Sequence, residues 1–158
     1  ELKSRVKAQP RLFNAAIKKL VKEALLAEQG TSVSRPGHTI RFDSAQQARN
    51  QALLRKFAQN PYATPSVKEC QAEVGEEVLA ALIELDELVA VSAEVIFRKQ
   101  DYETMVKLVR DAIRQRGQVT LAEVRDLFGT TRKYVQAFLE HLDAAGVTMR
   151  QGDYRKLR

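Results

Sequence analysis

The sequence predicts a mainly α-helical chain with small β-hairpins, organised as repeated modules. Three observations point there. Charged residues make up 29% of the 158 positions and aromatics only 6%, with no Trp, a balance that suits amphipathic helices better than a β-sandwich or barrel. A texture recurs at domain-sized spacing: Leu82, Leu85 and Asp86 fall on Leu139, Leu142 and Asp143, an offset of 57. Apolar residues at helical spacing are punctuated by Ser/Thr caps, glycine stops and short β-prone runs. A repeat of that length signals duplicated modules and not a solenoid.

The first module, residues 1–43, reads as partial, lacking its first helix. Leu2 to Lys7 suggests a short helix, Leu12 to roughly Leu25 a longer one, and Val33 through Phe42 a wing with Pro36-Gly37 at its tip. The second module, 44–99, opens with a helix from about Ser44 to Asn60, which Asn60-Pro61-Tyr62-Ala63-Thr64-Pro65 breaks. Ser66 and Glu69 form a capping-box pair for the next helix, because each side chain satisfies an amide N–H that the helix start leaves free. Gly75 ends that helix and a third runs from about Glu76 to Asp86; Leu88-Val89-Ala90-Val91 and Val95-Ile96-Phe97 read as a hairpin.

The third module, 100–158, repeats the order more clearly. A helix from about Asp101 to Arg116 carries Met105, Leu108, Val109, Ala112 and Ile113 on one face, and Gly117 stops it. Thr120 with Glu123 starts a second helix that Gly129 ends, and Thr130 or Thr131 caps a third bearing Val135, Phe138, Leu139 and Leu142. A hairpin follows, turning at Gln151-Gly152-Asp153. Three helices with a tight turn before the third, then a hairpin, is a helix-turn-helix with a wing. The fold expected is therefore tandem winged-helix modules.

Composition narrows the function. The longest unbroken apolar run, Val78 to Ile83, is far too short to cross a bilayer. The opening Glu1-Leu2-Lys3-Ser4-Arg5 lacks the apolar core of a signal peptide, and the missing initiator Met suggests a fragment. The single cysteine, Cys70, rules out an internal disulfide and fits a cytoplasmic protein. Cys70, His38 and His141 are too few and too scattered for a zinc site, so no metal is expected. No P-loop, GxSxG, HExxH or Cys-His arrangement occurs, so the chain reads as no enzyme.

Net charge is +6, which suggests a polyanionic partner. Its distribution says more. Residues 1–43 hold nine Lys/Arg against four Asp/Glu, residues 44–99 six against eight, and residues 100–158 eleven against eight. A polyanion should favour the ends. The sharpest local feature is Gly129-Thr130-Thr131-Arg132-Lys133-Tyr134. Arg132 and Lys133 occupy the first turn of a helix, where the dipole favours carboxylates. An anion would reverse that penalty, since free amide N–H groups, the dipole and both cations would converge on it. Lys133, Gln136, Ala137 and Glu140 fall opposite the apolar face, and Tyr134 is placed to stack on a base. The wing adds Arg150, Arg155, Lys156 and Arg158 around Gly152-Asp153. The residues leave a solvated basic turn and a nucleic-acid site equally open. Arg35, His38, Lys18, Lys19 and Lys22 form a second basic surface in the first module, for which solvation is the simpler account.

The segments Val124-Arg125-Asp126-Leu127-Phe128-Gly129-Thr130-Thr131-Arg132-Lys133-Tyr134, Phe138 to Asp143 and Val147 to Asp153 resemble the C-terminal region of the SelB family, the bacterial selenocysteine-specific elongation factors. Leu54 to Phe57 and Asn60 to Ser66 resemble its penultimate module. The resemblance implies four winged-helix modules behind GTPase domains. It implies that the last module binds the selenocysteine insertion (SECIS) hairpin in mRNA, just after an in-frame UGA codon. It implies an RNA-contacting set of Thr131, Arg132, Lys133 and Tyr134 with wing residues Arg150, Gly152, Asp153, Arg155 and Lys156. Thr130-Thr131 stands where the family has a serine before the arginine, and Met149 where a second basic residue is common. GTP, Mg, the ribosome and selenocysteinyl-tRNA would concern the full-length factor, with this fragment a monomer holding no cofactor. Two other readings stand beside this one: a DNA-binding transcriptional regulator, and a protein-interaction arm, which the acidic middle would suit.

Overall fold

The computed structural model describes residues 6, 9–29, 32–34 and 40–158. The chain divides into two compact units, Glu1–Arg41 and Phe42–Arg158.

In the first unit, helix α1 (Pro10–Lys22) starts with proline at its first position, where a missing N–H costs nothing. No residue of α1 is buried. An antiparallel pair follows, β1 (Ala27–Gln29) with β2 (Ser32–Ser34), Glu28 opposite Val33. Both features differ from expectation. The helix stops at Lys22 because Ala24 takes a left-handed turn and the N–H groups of Leu25 and Leu26 fold back on the Leu20 carbonyl. The hairpin therefore begins before Val33, in an Ala-Glu-Gln stretch with no β-branched residue to announce it. The expected wing tip at Pro36-Gly37, with Arg35 and His38, and most of the Leu2–Lys7 helix lie outside the described residues.

In the second unit, α2 (Ser44–Gln59), α3 (Val67–Val74), α4 (Glu76–Glu84) and the hairpin β3 (Leu88–Ala90)–β4 (Ile96–Arg98) come first. Then follow α5 (Lys99–Arg116), β5 (Val119–Thr120), α6 (Leu121–Phe128), α7 (Arg132–Ala144), β6 (Thr148–Gln151) and β7 (Tyr154–Leu157). Three capping boxes fix helix starts: Asp43 with Gln46, Ser66 with Glu69, and Thr120 with Glu123. The first of these came from a residue pair that sequence reading passed over. Left-handed Gly117 and Gly129 end α5 and α6, a conformation in which a Cβ would be strained.

Two cores result. Leu53, Phe57, Cys70, Val74, Leu79, Leu82, Leu88 and Ile96 form one. Met105, Val109, Ile113, Val124, Phe128, Val135, Phe138 and Leu142 form the other, joined by Val91, Val95 and Phe97 of the β3–β4 hairpin. Successive residues of a strand face opposite ways, so Ile96 enters the first core and Phe97 the second. Phe97 and Phe138 meet edge to face, with ring centres 6.3 Å apart. The hairpin thus serves both helical groups, and no linker separates β4 from α5.

Candidate nucleic-acid interface

The three-stranded sheet, in order β5-β7-β6, stands beside the start of α6 and the outer face of α7. Arg132, Gln136 and Glu140 follow one another at four-residue spacing, so they share a face of α7. Together with Arg125 of α6 and Arg150 and Asp153 of the wing, they line a groove of about 330 Å³. Gln136 Nε2 donates to Glu140 Oε1 at 2.9 Å. Arg125 is held by its neighbour Asp126 at 2.6 Å, while Arg132 makes no ion pair with any described residue. Thr131, at the helix N-cap, makes no side-chain capping bond, so the amide N–H groups of that turn remain available to a ligand.

The wing is braced from behind. Arg155, whose side chain is only 4% exposed, places Nε 3.0 Å from Asp143 Oδ2. The Thr148 hydroxyl donates to Asp143 Oδ1 at 2.6 Å. Arg150 sits directly across the strands from Arg155 but is exposed, with Nε donating to the Gly152 carbonyl at 3.0 Å. Gly152 takes a left-handed turn that lets the hairpin close in two residues. Lys156 lies on the other face of the sheet, opposite Met149, and Tyr154 is 45% exposed.

The geometry separates the residues singled out from sequence. Arg132, Arg150, Gly152 and Asp153 come together at the groove. Arg155 lines its floor, yet it is locked to Asp143 and carries the wing instead of projecting from it. Lys133 does not point freely outward: its ammonium meets Glu94 Oε2 at 2.9 Å. That hydrogen bond raises the lysine pKa and, with the lysine charge, holds the Glu94 carboxyl below its ordinary range. Tyr134 is half-buried and its hydroxyl donates to the Thr64 carbonyl at 2.8 Å, so it is not a free stacking platform. Ala137 is buried, not surface-facing. The apolar face of α7 is wider than a simple stripe, because the β3–β4 hairpin packs on its second side.

Sequence reading missed Arg125. The available signal was the Gly129 turn, which brings the end of α6 against the start of α7 and sets a cation there beside Arg132. Three guanidiniums and a run of free amide N–H groups suit phosphates and base edges. Glu140 and Asp153 add two carboxylates to the lining of the same groove. Among the described residues, no cluster of His, Cys, Asp or Glu is placed to hold a metal ion, and no helix is long and apolar enough to cross a membrane.

Three helices, the third starting after a tight turn, and a basic wing beside that start define a winged-helix module. Residues 111–157 match the family described as elongation factor SelB, winged helix. The chain is 26% identical over 155 residues to a selenocysteine-specific elongation factor of Desulfomicrobium baculatum, covering 94% of this chain and 24% of the relative. The chain thus spans about a quarter of that relative's length. It is also similar to the solved mRNA-binding domain of elongation factor SelB from E. coli in complex with SECIS RNA, at 25% identity and a TM-score of 0.60, covering 74% of this chain and 99% of that one. A bacterial selenocysteine-specific elongation factor shares the fold at 16% identity and a TM-score of 0.60, with 99% of this chain and 25% of that one covered. The resemblance read from Val124 to Asp153 is thereby borne out.

Proposed function

We propose that this chain binds a SECIS-type hairpin in mRNA and so brings a selenocysteine-specific elongation factor to in-frame UGA codons. The observation that carries the reading is the groove where Arg125, Arg132 and Arg150 converge between the recognition helix and the wing. The likeness to a SelB domain solved with SECIS RNA supports it. Arg132, with the N–H groups that Thr131 leaves uncapped, meets the RNA at the helix start; Arg150, Gly152 and Asp153 meet it at the wing tip. Arg155 positions that tip, and Lys156 supplies charge on the outer sheet face. Lys133 and Tyr134 contribute through the structure around Arg132.

In this reading residues 100–158 are the RNA-binding module, 44–99 a supporting module and 1–43 a further, partial one. The fragment acts as a cytoplasmic monomer and itself performs no catalysis. GTP and Mg, the ribosome and selenocysteinyl-tRNA belong to the remaining length of the factor. A gel-shift titration tests this: an mRNA hairpin should bind more tightly than unrelated RNA or a DNA duplex of equal length. Preference for the duplex would indicate a DNA-binding regulator. Binding to none of them, at any salt concentration, would favour a protein-interaction arm.

A further inference from the structure

We infer that Tyr62, Thr64 and Glu94, all outside the RNA-binding module, are positioning residues that fix the helix turn presenting Arg132. The inference rests on the proposed RNA role of that turn. Left to itself, the turn should fray. Thr131 provides no side-chain cap, and the Val135 N–H reaches the Thr131 carbonyl only at 3.3 Å. Arg132 and Lys133 also place two positive charges at the positive end of the helix dipole.

The residues on both sides of Arg132 are nevertheless tied down. The Thr130 hydroxyl donates to the Tyr62 carbonyl. Lys133 pairs with Glu94 at 2.9 Å, and the Tyr134 hydroxyl donates to the Thr64 carbonyl at 2.8 Å. The anchors are themselves held. Thr64 is buried, and its hydroxyl donates to the Ile96 carbonyl at 2.6 Å. The Tyr62 ring packs on Phe128 with centres 4.9 Å apart. The Glu94 carbonyl accepts from the Val67 N–H at 3.1 Å, and the Ser92 hydroxyl accepts from the Glu94 N–H at 3.2 Å. Pro61 and Pro65 stiffen the segment between them. The acidic stretch thus acts on RNA binding without meeting RNA: it pre-sets the angle at which Arg132 enters the groove, lowering the ordering cost of binding.

The test uses the whole chain with Thr130→Val and Tyr134→Phe combined, which removes two hydroxyls and little volume, and Thr130→Ser as the conservative control. Hairpin affinity is measured across salt concentrations, and amide exchange is followed at Val135. The expected result is a roughly five- to 150-fold weaker affinity for two lost hydrogen bonds. The salt slope should fall by roughly 0.7–0.9 as one cationic contact is lost, exchange at Val135 should quicken, and Thr130→Ser should retain parental behaviour. Parental affinity and slope in the double variant would overturn the inference, as would unchanged exchange at Val135. Failure of the parent chain to bind the hairpin would instead overturn the functional reading, and the exchange at Val135 would still decide whether these contacts hold the turn.

Discussion

Replacing Asp143 with alanine should be among the most damaging single changes in the second unit. Asp143 accepts from Arg155 at 3.0 Å and from Thr148 at 2.6 Å, and the Arg155 side chain is 4% exposed. Removing one partner of a buried ion pair costs about 3–5 kcal/mol, because the other charge is left without water or counter-charge. Asp143 is 23% exposed, so water can reach part of the gap and the lower end applies. Stranding the buried Thr148 hydroxyl adds about 1 kcal/mol. The sum is about 4 kcal/mol, readable as a shift in the urea unfolding midpoint at constant slope. Asp143→Leu combined with Arg155→Met should recover most of that loss, since apolar groups of similar size often replace a buried pair without cost. A single-variant loss below about 1 kcal/mol would refute the reasoning, as would a double variant no more stable than Asp143→Ala.

Other expectations follow from the same contacts. Arg132→Ala should leave stability unchanged or slightly raised, because its charge opposes the helix dipole, while hairpin binding weakens by about 1–3 kcal/mol if a base edge is lost; paired melting and binding curves check both. Asn50 is 5% exposed, and neither its side-chain oxygen nor its nitrogen has a hydrogen-bond partner among the described residues. Asn50→Leu should therefore raise stability by about 1–3 kcal/mol, the cost of an unsatisfied buried polar group. Burial lowers the His141 pKa below its ordinary 6.5. The unfolded chain then takes up the proton first, so stability is unaffected above that value and falls as pH drops through 6.5 towards the folded pKa. His141→Phe should flatten the pH-stability curve in that window. The hydrogen-bonded carboxyls of Glu69 and Glu123, held below their ordinary 4.5, should act separately at lower pH.

The elements of the second unit were legible because their signals are local. Ser66 with Glu69, Thr120 with Glu123, and the stops at Gly75, Gly117 and Gly129 act within one helical turn of where they stand in the sequence. The site was half legible for the same reason. Arg132 and Arg150 could be placed from helix phase and hairpin turn. Lys133, Tyr134 and Arg155 could not, because their partners Glu94, Thr64 and Asp143 are set by tertiary packing. A positive charge in a sequence does not reveal whether the fold supplies a carboxylate opposite it. The β3–β4 hairpin gave the least warning: alternation predicts that Ile96 and Phe97 face opposite ways, but not that both faces are buried.

The central claim is that a structured mRNA element enters the groove between α7 and the wing. A salt-dependent titration of a labelled mRNA hairpin against the chain and against its Arg125→Ala, Arg132→Ala and Arg150→Ala variants tests it most directly. The account predicts a steep salt dependence in the parent, with each phosphate contact adding roughly 0.7–0.9 to the slope. Each variant should bind more weakly, and those that lose a phosphate contact should show a shallower slope. Parental affinity in all three variants, with a salt response equal to the parent's, would place the RNA elsewhere on the molecule and contradict the account.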